Sequence, residues 1–146
     1  MNILPTKEIP PAILKDSVLA HIAAAYFSVG KRLAQKTRCS ATRGFILSTL
    51  RGGTTLNQNQ IATLLGFDRT VVHRAIKSLV REKLVSEHRE KSGRAIRIQL
   101  TAKGTKYRER LIEARKTADE NIRRQMTAEE RETLLRLLKL VAESEF

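Results

Sequence analysis

Cysteine, aromatic side chains and long apolar runs are scarce in this sequence. Its 146 residues include one cysteine, no tryptophan, two tyrosines and four phenylalanines. One cysteine cannot make an intrachain disulfide scaffold, and no apolar stretch approaches the roughly 18 residues of a membrane-spanning helix. So few aromatic rings argue against a surface that stacks unpaired bases. The first residues lack a basic segment followed by an apolar stretch, so no signal peptide is visible and we expect a cytoplasmic protein.

Negative charge is also scarce. The chain carries 28 Lys and Arg against 15 Asp and Glu, which gives a formal net charge of +13 and a pI near 10.6. Such a surplus implies a polyanionic partner. From Arg69 to Arg97, nine Lys and Arg stand against three Glu, a net charge of +6, whereas residues 52–67 carry no charge at all. Solubility alone would not concentrate the charge in one segment.

Neither a metal site nor a catalytic site is indicated. His21, His73 and His88 are far apart, and no cluster of Cys, His, Asp and Glu has the spacing of metal ligands. The Glu residues lie beside Lys or Arg on predicted helix faces, without a paired carboxylate or a nucleophile–base pair. We therefore expect no enzyme, metal or cofactor. Cys39 is interpreted as a small buried apolar residue, and a redox-active thiol is the alternative.

Residues 57–101 predict two short helices around a turn, followed by a β-hairpin. Ala62 and Gly66 stand four apart among apolar residues. This spacing is typical of a helix-turn-helix, which needs a small residue where the helices touch and glycine where the chain turns. Asn57 and Gln60 predict a capping box for the first helix. Asp68 suits the N-cap of the second helix, where its carboxylate meets the positive helix end.

The second helix of this motif has one apolar and one basic side. At about 100° per residue, one line along it holds Val72, Ile76, Leu79 and, at its end, Lys83. The opposite line is predicted to enter the major groove, with Arg74 contacting guanine and Thr70 another base edge. Lys77 and Arg81 are expected at phosphates. The predicted DNA contacts of this helix are Arg69, Thr70, His73, Arg74, Lys77 and Arg81.

The hairpin is predicted from alternation. Ile96, Ile98 and Leu100 would share one strand face and Arg97 the other. Residues 91–94 form the predicted turn, whose arginine can enter a narrow minor groove over A·T-rich DNA. The predicted DNA contacts of the hairpin are Arg89, Lys91, Arg94 and Arg97.

Helices with apolar stripes are predicted at both ends of the chain. The first begins at Pro11 and runs about six turns, and the second starts at an N-cap, Ser40, and ends near Leu50. A fifth helix follows Thr101. A sixth begins at a capping box and carries the apolar residues Leu134, Leu135, Leu137, Leu138 and Val141. Because the stripes exceed what one small domain needs, we interpret them as dimerisation surfaces, with an intramolecular bundle as the alternative.

The segment from Asp68 to Gly104 resembles the winged-helix core of the MarR family of bacterial transcription regulators. The matching residues are Asp68, Arg69, Val72, Arg74, Leu79, Lys83, Leu84, Val85, Arg94, Leu100, Thr101, Lys103 and Gly104. Upstream, residues 57–66 resemble the family's first motif helix. The resemblance covers nearly the whole chain and implies four helices, a β-hairpin wing and two further helices. The implied fold is mainly α (α+β), a winged helix-turn-helix with N- and C-terminal dimerisation helices.

The resemblance also implies a division of the chain and a function. Residues 1–38 would form an arm and a dimerisation helix, residues 39–101 the DNA-binding region, and residues 102–146 the C-terminal dimerisation helices. The implied protein is a cytoplasmic, bacterial homodimer that binds pseudo-palindromic double-stranded DNA in the nucleoid. It would be a repressor released by a small phenolic or anionic effector. His21, Tyr26 and Arg43 are candidate residues of an effector pocket, and core packing and surface charge are the alternative explanation for them. A sequence-independent architectural nucleic-acid-binding protein is the alternative.

Three positions depart from the family pattern. Ser92 replaces the aspartate that usually steadies the wing arginine. Leu84 follows Lys83 directly, without the glycine that usually ends the recognition helix. His73 stands where serine is common, so the family does not predict the operator preference.

Overall fold

A β-hairpin separates four helices from two in the computed structural model, which describes residues 15–89, 93 and 95–145. The helices and strands are α1 (Val18–Thr37), α2 (Ala41–Thr49), α3 (Gln58–Leu65), α4 (Arg69–Arg81), β1 (Val85–Arg89), β2 (Ile96–Leu100), α5 (Ala102–Arg123) and α6 (Ala128–Ala142). This order and the mainly helical class confirm the prediction. Within the described residues, no helix is both long and apolar enough to cross a membrane.

Every one of these helices begins at a residue whose side chain accepts a backbone N–H from the first turn. The caps are Ser17, Ser40, Asn57, Asp68, Thr101 and Thr127, and those of α3 and α6 are complete capping boxes. Such caps satisfy backbone donors that have no partner within the helix. The predicted caps and capping boxes of α2, α3, α4 and α6 are thereby confirmed.

The predicted start of the first helix is wrong. Pro11 lies outside the described residues, but residues 15–17 are not helical and α1 begins at Val18. The Ser17 hydroxyl accepts a hydrogen bond from the Ala20 amide at 3.2 Å, while the Ser17 backbone is extended. A side chain that satisfies an end amide fixes the boundary there. The apolar periodicity of the sequence continues past this cap and therefore does not mark it.

Almost all residues of the core belong to one stretch of the sequence, from α2 to the end of the hairpin. Of the 14 buried apolar residues, only Cys39 and Leu111 fall outside residues 43–104. A short bridge between Leu56 and Ile98 adds a third backbone segment to the edge of the hairpin, with N–O distances of 3.1 and 2.8 Å. The hairpin pairs Val85 with Leu100, and Ile98 at its centre is 2 % exposed.

The end of α4, the second helix of the predicted helix-turn-helix and here called the recognition helix, differs from the prediction. We expected Lys83 on the apolar line of α4, but α4 stops at Arg81 and Lys83 has a φ of +58°. The Lys83 amide donates to the Val80 carbonyl and the Leu84 amide to the Leu79 carbonyl, both at 2.9 Å. These two bonds make a Schellman motif, in which glycine usually takes the left-handed position. Burial of Leu79 and Leu84 against the core holds a lysine there instead.

Gly104 lets α5 approach the end of the recognition helix. A Cβ at this position would lie 1.8 Å from the Leu84 carbonyl oxygen. The Thr101 hydroxyl donates to the Lys83 carbonyl at 2.7 Å, and the Lys103 ammonium donates to the Glu82 carbonyl at 2.9 Å. The start of α5 is therefore fixed directly against the last turn of α4.

Candidate nucleic-acid interface

The basic side of α4 faces solvent. Its buried residues are Val72, Ala75, Ile76 and Leu79, which pack into the core. The residues predicted to contact DNA from this helix are all exposed: Arg69, Thr70, His73, Arg74, Lys77 and Arg81. The structure thus brings together the predicted reading surface on one helix, as a major-groove reader requires. Their contacts with DNA stay a prediction.

Asp68 serves the helix and not the DNA-facing surface. Its Oδ1 accepts hydrogen bonds from the backbone amides of Thr70 at 2.7 Å and Val71 at 3.4 Å. These donors hold the pKa of the Asp68 carboxyl below its usual value. A negative charge at the positive end of α4 also stabilises that end.

Gln58, at the start of α3, joins the two helices of the motif. Its Nε2 donates to the Arg69 carbonyl at 3.2 Å, and its Oε1 lies 3.0 Å from Nδ1 of His73. Sequence reasoning missed Gln58, because a glutamine in the first turn of a helix is an ordinary polar residue. Only the crossing of α3 over the start of α4 brings it to His73.

Gln60 links α3 to the hairpin. Its Oε1 accepts from the Asn57 amide at 2.9 Å and from Nη1 of Arg97 at 3.1 Å. The predicted capping glutamine therefore also holds Arg97, which is half-buried between the hairpin and α3. Arg89, at the end of β1, is exposed. Two predicted wing contacts, Lys91 and Arg94, lie outside the described residues, as does Ser92.

A second candidate site is a cavity of about 560 Å³ where α1, α2 and α5 meet. Its walls are mostly apolar, and the residues that line it include Ile22, Tyr26, Leu33, Phe45, Leu111, Ile122 and, from α6, Leu138. Arg115 supplies a guanidinium to this wall. Its carbon lies 5.1 Å from the centre of the Phe45 ring, and Nη1 donates to the Ser48 hydroxyl at 2.7 Å. An apolar cavity with a few polar groups is typical of small-molecule sites.

Only one of the three predicted effector residues lines this cavity. Tyr26 does. Arg43 instead forms an ion pair with Glu82, with Nη2 and Oε2 2.6 Å apart, and His21 Nδ1 lies 2.8 Å from the Ser17 carbonyl. The sequence missed Arg115, because one arginine among the many basic residues of α5 carries no signal until α5 is placed against α2.

Cys39 is buried, as predicted, and forms part of the cavity wall. It is 5 % exposed, and burial raises the pKa of its thiol. A raised pKa lowers the fraction of reactive thiolate at neutral pH, which fits the structural interpretation. Among the residues that the structure describes, no group of three His, Cys, Asp or Glu is arranged to hold a metal ion.

Comparison with known proteins agrees with this geometry. Residues 43–104 match the family model of the winged helix DNA-binding domain. Among curated proteins, none matches the chain in sequence. Solved structures of MepR and MarR superpose on the chain over nearly its whole length. The chain has the MarR fold.

Three solved structures, of MepR, MarR and BpsR, show the extent of the similarity. The MepR–DNA complex from S. aureus has a TM-score of 0.77 at 22 % identity and covers 86 % of this chain and 96 % of its own. A mutant MarR from E. coli complexed with operator DNA has a TM-score of 0.76 at 18 % identity, covering 88 % and 97 %. BpsR from Bordetella bronchiseptica, whose DNA binding is regulated by 6-hydroxynicotinic acid, has a TM-score of 0.75 at 16 % identity, covering 90 % and 97 %. The resemblance inferred from residues 68–104 is therefore confirmed at the level of the MarR fold and the winged helix DNA-binding domain.

Proposed function

We propose that this protein is a homodimeric transcription regulator that recognises a pseudo-palindromic DNA operator. The observation that carries the proposal is the exposed basic side of α4, which stands opposite a fully packed apolar side. An α-helix of this kind fits the major groove, where base edges distinguish all four base pairs. Complexes of MepR and MarR with DNA support the same assignment for this fold.

Apolar residues left uncovered on the flanking helices support the homodimer. None of the residues of α1 or α6 is buried, and Phe27 and Leu135 are 70 % and 61 % exposed. Large exposed apolar surfaces mark interaction sites. A second copy of the chain is the occupant that would also pair two recognition helices, and a two-fold protein matches a two-fold operator.

The cavity supports regulation by a small aromatic anion. Its apolar walls suit an aromatic ring. Two charged side chains line it, Asp119 and Arg115, and the Arg115 guanidinium suits a carboxylate or phenolate. The regulation of BpsR by 6-hydroxynicotinic acid is consistent with this ligand class. Because α1 and α5 form the dimer side of the cavity and α2 the DNA-binding side, an occupant would bias the angle between them. We propose that the occupied cavity holds an angle that does not fit the operator, so that the effector releases the protein and the protein represses in its absence.

Selection from a randomised duplex library tests the DNA-binding proposal. We expect the full chain to enrich an inverted repeat, and a footprint on that sequence to protect both half-sites. Equal affinity for the enriched duplex and a scrambled duplex at several salt concentrations would instead identify an architectural protein, since phosphate contacts alone carry no sequence information.

Titration of the protein–operator complex with salicylate and related hydroxybenzoates tests the effector proposal. We expect release by at least one of these anions in the parent and not in Arg115→Gln. Arg43→Gln is the matched control, because it also removes one arginine near α2 but leaves the cavity wall unchanged. Loss of the response in Arg43→Gln with retention in Arg115→Gln would reject the assigned anion site.

A further inference from the structure

The hydrogen bonds around Gln58 fix the orientation of its amide. The Arg69 carbonyl can only accept a hydrogen bond, so the group 3.2 Å from it must be the NH₂ group of Gln58. The amide oxygen then points to His73. A flipped amide would place its oxygen against the Arg69 carbonyl oxygen, two acceptors, and lose that hydrogen bond, so the Arg69 carbonyl decides the orientation.

This orientation selects one tautomer of His73. The Gln58 oxygen can only accept, so Nδ1 of His73, 3.0 Å away, must carry the proton and donate it. In a neutral imidazole the other nitrogen, Nε2, is then an acceptor. His73 is exposed in the N-terminal half of α4, on the side of the helix that also carries Arg69. Within the described part of the chain, no side-chain hydrogen bond involves this Nε2.

We propose that Gln58 sets His73 as a hydrogen-bond acceptor toward the major groove. His73 then reads a base with an exocyclic amino group, cytosine or adenine, since N4 of cytosine and N6 of adenine are the major-groove donors. The neighbouring residues Arg69, Arg74 and Lys77 offer only donors from their side chains. His73 is thus a specificity-determining residue with the opposite polarity, and Gln58 is its positioning residue. This inference rests on the proposed sequence-specific function.

The tautomer can be measured without DNA. Long-range ¹H–¹⁵N correlation spectra of the full chain at about pH 8, where histidine side chains are generally neutral, distinguish the two forms. We expect His73 in the Nδ1–H form in the parent and in Gln58→Glu, whose carboxylate still accepts from Nδ1 although it no longer donates to the Arg69 carbonyl. Gln58→Ala removes the acceptor and should shift the population toward Nε2–H. A predominantly Nε2–H ring in the parent would overturn the inference.

His88 provides an internal control for these spectra. Its Nε2 lies 2.8 Å from Nε2 of Gln99 and 2.9 Å from the Ser86 hydroxyl, on the hairpin and away from Gln58. Its signals should not change in the Gln58 variants. Asn59→Ala serves as the matched variant, because it also removes a side-chain amide from the first turn of α3. Asn59 is exposed and makes no side-chain hydrogen bond to the described residues.

Library selection then tests the base preference. The parent should favour cytosine or adenine at one position of each half-site by about threefold to tenfold, the net worth of one hydrogen bond. His73→Lys, which can only donate, should move the preference there to guanine or thymine and leave the other positions unchanged. Gln58→Ala should weaken the preference for cytosine or adenine at this position, and Gln58→Glu should keep it. Asn59→Ala should leave the preference unchanged.

The outcomes separate this inference from the proposed function. If the parent enriches an inverted repeat and no position responds to His73→Lys, the reading role of His73 is wrong and the proposed function stands. Equal responses to Gln58→Ala and Gln58→Glu would reject the positioning role of Gln58. If the parent enriches no sequence, both the proposed function and the inference fail.

Discussion

Residues 43–104 and the helices that flank them differ in how much of their apolar surface is buried within one chain. The first region buries 12 of the 14 core residues and leaves its basic side chains on the outside. By contrast, α1 and α6 bury none of their residues, although both are well capped and carry apolar stripes. Residues 43–104 thus bury their apolar side chains within one chain. By comparison, α1 and α6 leave large apolar side chains exposed.

This difference shows that regular helical periodicity alone does not say where an apolar face is buried. The stripe of α4 packs against α2 and α3, and the similar stripe of α6 remains open. The two helices also differ in the charge on the opposite side. In α4 the polar side is almost purely cationic, suited to DNA, whereas α6 mixes Glu with Lys and Arg as an ordinary solvated surface does.

The largest expected effect concerns the contact between α5 and the recognition helix. Gly104→Ala should lower the free energy of unfolding by about 3 kcal/mol or more, because the new Cβ overlaps backbone and not a side chain that can move. Chemical denaturation measures this change. Gly52→Ala is the control, since no atom lies within 4 Å of its Cβ position and its stability should hardly change. Similar stability of both variants would show that α5 does not pack here.

The next effect concerns the open apolar faces. Leu135→Glu should place a charge in the proposed dimer interface, yield monomers in sedimentation, and weaken binding to a two-half-site operator by roughly 100-fold through loss of bivalency. Leu64→Glu is the control, because Leu64 is equally exposed but lies on α3, outside the flanking helices. If Leu64→Glu dissociates the protein and Leu135→Glu does not, the two regions have been assigned the wrong way round.

A smaller effect separates base reading from phosphate binding on α4. Arg74→Ala should cost about 1–3 kcal/mol on the operator, relax the preference at one position per half-site, and change binding to random DNA little. Arg81→Ala should weaken both duplexes alike, because a phosphate contact is independent of sequence. Titrations at several salt concentrations measure both. Equal weakening of both duplexes by Arg74→Ala would make Arg74 a phosphate contact.

The smallest effect is the pH dependence that the cap of α4 contributes. Because the pKa of Asp68 is lower in the folded chain than its usual value near 3.8, its ionised form stabilises the fold. That contribution is complete above this value and is lost as the pH falls through the lower, folded pKa. Asp68→Asn keeps a capping oxygen but cannot titrate, so its Tm should fall less than that of the parent between about pH 5 and pH 2, a range set by ordinary carboxyl values. An unchanged acid dependence would exclude Asp68 as a contributor.

Most of the fold could be predicted because its boundaries are local. Caps such as Ser40 and Asp68 act within one helical turn, and the alternation around Ile98 specifies a strand face. The start of α1 could not be predicted, because Ser17 lies inside a continuing apolar pattern. The left-handed conformation of Lys83 could not be predicted either, because it depends on the burial of Leu84 and on the close approach of α5.

The residues of the candidate site could be predicted only where they all lie on one helix or strand. The basic side of α4 follows from helical geometry, so its exposed residues were identified correctly as a surface. Gln58, Arg115 and the contact of Gln60 with Arg97 were missed, because each joins elements that are distant in sequence, 67 positions in the case of Arg115 and Ser48. Single-sequence periodicity contains no information about such crossings.

Sedimentation equilibrium of the wild-type chain at micromolar concentration tests the contrast between the two regions most directly. We predict a species of twice the 16.5 kDa chain mass, because a second copy would bury the apolar residues that α1 and α6 leave exposed. A species of the single-chain mass that persists as the concentration rises would contradict the account, since the flanking helices would then be stable with their apolar faces in water.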